Sequence, residues 1–109
     1  MEKSNQSIDV LGYNYKLTLT ADKRDLAEGV RGTVSWEPRT ITLYNGEELQ
    51  RDEVRLHLLH ELVHIILFGL FYQNEKYKAL CVDEAFVKPF SAALFDTLNR
   101  NNLIEWKVL

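Results

Sequence analysis

The sequence predicts a single α+β domain, in which a small antiparallel sheet of about three strands packs on one long apolar helix and a second helix. Three observations carry this. Period-2 alternation fills the N-terminal half, helical spacing takes over after Tyr44, and strands and helices fall in two runs instead of alternating as βαβ units do. The chain has 109 residues, 46% hydrophobic and 27% charged. That composition is ordinary for a globular protein, and a chain of this length buries about two-thirds of the surface its unfolded form exposes. No repeat, low-complexity tract or linker divides it, so one domain over residues 1–109 is expected.

Residues 1–7 read as a frayed polar end. From Ile8 the pattern alternates, with Tyr13, Tyr15, Leu17 and Leu19 on one side and Asn14, Lys16 and Thr18 on the other, as in a half-buried strand. The charged stretch from Ala21 to Gly29 fits a loop or a short helical turn. Two β-prone runs, Thr33–Trp36 and Thr40–Tyr44, flank Glu37-Pro38-Arg39 and form a hairpin that Asn45-Gly46 closes. A helix follows from Glu47 to Phe68 and stops near Gly69. A connection from Gly69 to Leu80 leads to a second helix, Val82 to Asn101, which Pro89 should kink or shorten. The tail, Leu103 to Leu109, reads as a terminal strand or an ordered arm.

Charge and cysteine usage exclude several function classes. Thirteen Lys+Arg against sixteen Asp+Glu give a net charge of −3, with the two signs interspersed. No basic face is visible, so nucleic acid is not an expected partner. The lone Cys81 excludes a disulfide framework. The first residues, MEKSNQSIDV, lack the apolar core of a signal peptide. Ionisable groups at His57, His60, Glu61 and His64 interrupt the longest apolar stretch, Leu56 to Phe71, and argue against a membrane span. A cytoplasmic soluble protein is expected.

The chemistry lies in Leu56–Phe68, LHLLHELVHIILF. On a helix with His60 at zero, His64 falls at about 40°, His57 at about 60° and Glu61 at about 100°, while apolar residues cover the remaining arc. Such a helix is buried, and buried imidazoles and a carboxylate need partners. His60-Glu61-Leu62-Val63-His64 is an H-E-x-x-H sequence. Two histidines one turn apart can reach one tetrahedral metal, with Glu61 beside them as general base. Zinc is the expected ion, and it lowers the pKa of bound water to about 7. Glu61 would take that proton and pass it to the leaving amine. A His₂-carboxylate site also suits manganese or iron. The opposing reading is a set of core histidines bonded to one another and to Glu61.

A catalytic site needs a third ligand and an open position. Glu84, near the start of the second helix, ranks first, ahead of Asp83, which also suits an N-cap, and Cys81, which also suits packing. His57, on the same stripe, fits a supporting or cleft-lining place. Tyr72 and Tyr77 are candidate oxyanion donors that also suit aromatic packing. Trp36, Trp106 and Phe71 either line a cleft or pack.

HELVH, a short connection and then Glu84-Ala85-Phe86-Val87-Lys88-Pro89-Phe90-Ser91-Ala92-Ala93-Leu94 resemble the minimal gluzincin-like metallopeptidases of the ImmA/IrrE type. The likeness is greatest to their short phage and prophage relatives, and it covers about residues 30–100. It implies a minimal zincin-like fold, Glu84 as third ligand, and a strand, Thr40-Ile41-Thr42-Leu43, that lines the cleft and pairs with an extended substrate. It also implies a specific protein substrate, of the repressor-like class. The chain departs from the larger members in carrying Val87-Lys88 where they have Ala-Asn, and in Pro89. Two functions follow as expectations. One is a zinc metallopeptidase hydrolysing a peptide bond in a specific protein; the other is a metal-stabilised, non-cleaving protein-binding module of phage or prophage origin. A non-peptide hydrolase is a third, weaker reading. Substrate identity and oligomeric state are not legible.

Overall fold

The computed structural model describes residues 6–109 and shows an α+β arrangement. Residues 1–5 of the expected frayed end lie outside the described residues, and Ser7 already opens the first strand. The strands are β1 (Ser7–Val10), β2 (Tyr13–Thr20), β3 (Gly32–Trp36) and β4 (Arg39–Tyr44); the helices are α1 (Arg51–Phe71) and α2 (Glu84–Arg100). The sheet order is β1-β2-β4-β3.

Two sequence expectations are corrected here. The sheet has four strands, not about three, and it is mixed, not antiparallel: β2 and β4 run parallel, with Leu17 beside Ile41 and Leu19 beside Leu43. The extra strand arises because the alternation starting at Ile8 contains a tight turn. Leu11 and Gly12 both have positive φ, 54° and 88°, so the chain reverses there as a two-residue hairpin. Asp9 secures the turn by accepting from the Gly12 N–H at 2.9 Å. An apolar Leu at the first turn position conceals the turn in the sequence.

The expected hairpin of Thr33–Trp36 with Thr40–Tyr44 is present, with Gly32 opposite Leu43 and Trp36 opposite Arg39. Alternation puts Tyr15, Leu17, Ile41 and Leu43 on the face that meets α1, where they join Val10, Val54, Leu58 and Ile65 in the main core. Between β2 and β3 the loop makes one 3-10 turn, Lys23–Asp25, capped by Asp22.

The first helix begins at Arg51, later than Glu47, because residues before it turn and Glu53 accepts from the Gln50 N–H at 2.7 Å. It also continues past Gly69 to Phe71. Gly69 does not end the helix: it makes room for Leu11, whose Cδ1 would clash with a Cβ at that position. By length and composition α1 would pass for a membrane span. Here the sheet covers one side, and Val63 and Leu67 on the other meet Cys81 and Val87.

A 3-10 turn, Lys78–Val82, leads into Asp83, which is extended and accepts from the Ala85 N–H at 3.0 Å. That cap starts α2 two residues later than expected, and the helix runs through Pro89 to Arg100. The tail forms no strand. It is an ordered arm whose Trp106, Val108 and Leu109 pack against the main core, with the Leu109 carbonyl accepting from Arg55 at 3.2 Å.

Candidate metal centre

The helical spacing of α1 sets His60 and His64 one turn apart, with ring centroids 4.9 Å from each other. The packing of α2 behind α1 then delivers Glu84 from its first turn. Glu84 Oε1 lies 3.0 Å from His60 Nε2, and Glu84 Oε2 lies 2.9 Å from His64 Nε2. One ligand atom from each of the three residues fits within 4.8 Å of the others. The group borders a cleft of about 550 Å³ lined on one side by Gly29–Thr33 and on the other by α1, Glu84 and Lys88.

The proton inventory says what this donor set suits. His64 Nδ1 sits 2.8 Å from the Cys81 carbonyl, an acceptor, so Nδ1 carries the hydrogen. In the neutral ring Nε2 then presents a lone pair directly at a carboxylate oxygen. Two lone-pair carriers at that distance repel unless a proton or a cation lies between them. At His60 burial lowers the pKa against the pull of the facing Glu84, which favours the neutral ring that can ligate a cation. A divalent cation satisfies all three groups, and a backbone carbonyl behind a ligating imidazole is the usual way its orientation is fixed. The three residues therefore could hold a divalent metal ion.

Glu61 is the buried carboxylate beside this group, only 9% exposed. Burial lifts its pKa from the ordinary 4.5 to about 7, with His64 pulling it down and Glu84 pushing it up. The β-strand makes space for it. A Cβ on Gly32 would stand 3.2 Å from both Cγ and Oε2 of Glu61 and 3.0 Å from Leu43 Cδ2. Gly32 thus belongs to the site, and the one sequence sign of it is a glycine opening a β-prone run.

Linkage gives Glu61 a measurable signature. In metal-free protein between pH 4.5 and about 7, the folded state keeps a proton that the unfolded state has released. Stability therefore falls as pH rises through that window, by up to about 3 kcal/mol. The lowered pKa of His57 and of His60 acts oppositely, since their contribution is lost as pH falls below 6.5. Urea unfolding of wild type minus Glu61→Gln, both with chelator, isolates the Glu61 part. A difference that stays flat from pH 4.5 to 8 would contradict the burial argument.

The other candidates sort clearly. Asp83 caps α2 and is not in the cluster. The Cys81 thiol is buried and donates to the Leu67 carbonyl at 3.3 Å, so Cys81 serves the site through its main chain. Tyr72 stacks on Phe68 in a separate groove of about 380 Å³ that Trp36 also lines, and Tyr77 packs on Phe71. Neither tyrosine lines the metal cleft. Trp106 packs on Phe95. His57 does line the cleft, one turn before His60.

The strand expected to pair with substrate, Thr40–Leu43, has β2 on one edge and β3 on the other. Its main chain is already engaged on both sides, and the edge nearest the cleft belongs to β3. No family model matches the chain, and no curated protein or solved structure matches it.

Proposed function

We propose that the chain is a zinc-dependent metallopeptidase of the ImmA/IrrE kind that cleaves a specific protein substrate. The observation that carries the reading is the convergence of His60 Nε2, His64 Nε2 and the Glu84 carboxylate at the cleft, with the buried Glu61 beside them. When bound, the ion supplies a Lewis acid that acidifies water and polarises a carbonyl. Glu61 takes a proton from the attacking water at its carboxylate and returns it to the leaving amine nitrogen. Its burial beside the three converging groups keeps that carboxylate close to the reacting water. The Cys81 carbonyl holds the His64 ring in place. The outer edge of β3, unpaired among the described residues, offers backbone N–H and C=O groups to an extended substrate segment, from Gly32 beside Glu61 towards Trp36.

Mass spectrometry of the native protein, paired with cleavage of a proteome-derived peptide library, tests this. About one zinc per chain is expected, as the three-ligand site requires. Chelation should remove both metal and cleavage, and added zinc should restore both. A protein that takes up no zinc leaves the histidine stripe satisfied internally and ends the reading. Zinc retained without any cleavage would make the chain a metal-stabilised binding module instead.

A further inference from the structure

The cleft holds one more imidazole that the chemistry above leaves idle. His57 lines it one turn before His60, and its Nδ1 is buried with no hydrogen-bond partner among the described residues. A neutral imidazole carries one hydrogen, on Nδ1 or on Nε2. Placed on Nδ1, that hydrogen would be a buried donor with nothing to receive it. Placed on Nε2, it leaves only a lone pair in the dry position and turns the N–H towards the opposite, cleft-facing edge of the ring. Burial first and the Arg31 charge second lower the pKa of the ring and hold it neutral, against the pull of Glu53. His57 therefore presents a neutral, directed N–H donor inside the cleft.

Few other side chains there can do this. Arg31 is drawn over the Tyr44 ring, 5.3 Å from its centroid. Thr33 alternates with Gly32 and Val34 along β3 and faces away from α1, beside Thr42. Lys88 is an exposed point charge without a preferred direction. Resting on the peptidase reading, we propose that His57 donates an Nε2–H hydrogen bond to the carbonyl oxygen of the peptide bound beside the His60–His64–Glu84 centre. That bond strengthens as negative charge develops on the oxygen, so His57 is a catalytic residue that favours the transition state over the bound ground state.

Two measurements test it. Nitrogen-15 NMR of the wild type at neutral pH reads the tautomer, and Nε2–H is expected at His57. An Nδ1–H tautomer or a charged ring overturns the proposal. The second uses acetohydroxamate, a metal-binding probe that carries a carbonyl oxygen. His57→Leu should keep its zinc and bind the probe about tenfold more weakly, whereas His57→Gln, which retains an N–H, should recover much of the loss. With a cleavable peptide, His57→Leu should lower kcat by about 10²-fold with little change in KM. Equal probe affinity in zinc-loaded wild type and His57→Leu overturns the role of His57 alone. Absence of zinc from the wild type would instead overturn the peptidase reading on which it stands.

Discussion

Glu61→Gln should retain its zinc and lose peptide hydrolysis by about 10²–10⁴-fold, the contribution of a positioned general base. The substitution is close to isosteric, and Gly32 leaves just the space that the Glu61 side chain fills. An amide therefore fits the same volume, donates and accepts hydrogen bonds, but cannot take a proton. None of the three converging groups at His60, His64 and Glu84 is altered. Metal content and kcat measured on the same preparation separate the two effects. Wild-type turnover in Glu61→Gln would remove Glu61 from the reaction, and parallel loss of zinc would show that the carboxylate acts through the metal site and not on water.

Glu84→Ala is expected to weaken zinc binding by more than about 100-fold, beyond the 10–100-fold that loss of a supporting partner costs. Glu84 reaches both imidazoles at once, 3.0 and 2.9 Å away, so its removal leaves two neutral nitrogens without an anion to offset the ion's charge. The neighbouring positions supply internal controls. Asp83→Ala should cost about 1 kcal/mol of stability through the lost cap and leave affinity unchanged. Cys81→Ser should also keep the metal, because its carbonyl, not its thiol, faces His64. Competition against a chromophoric chelator gives all three affinities. Wild-type affinity in Glu84→Ala, with a loss in either control, would hand the third position to that residue.

What the sequence reveals follows the range of the interactions involved. The stripe holding His60, Glu61 and His64 is legible because helical period is local, and the Trp36–Arg39 hairpin because turn residues sit between β-prone runs. Glu84 is legible as a carboxylate at a helix start, although nothing in the spacing says that the helix folds back onto α1. The turn at Leu11-Gly12 is hidden because an apolar residue occupies a position that usually shows Asn, Asp or Gly. The parallel pairing of β2 with β4 is hidden because no local pattern distinguishes it from an antiparallel one. Gly32 and the Cys81 carbonyl are hidden for a simpler reason: each acts through the main chain or through a missing atom, and residue type does not report on either.

The sheet order has a kinetic consequence. It consists of two local hairpins, β1–β2 and β3–β4, joined along a single seam where Lys16 meets Thr40 and Thr20 meets Tyr44. Hairpins form in about 1–10 μs, whereas the seam must first close the intervening loop. Neither hairpin buries its apolar face alone; both lie across α1, which touches Val10, Tyr15 and Leu17 from one and Ile41 and Leu43 from the other. The helix is thus the clasp that locks the slow joint. Gly32 rides on one hairpin and Glu61 on α1, so the spacing between them depends on how the hairpin and the helix pack. An incompletely folded chain therefore has no fixed separation between Gly32 and the Glu61 carboxylate.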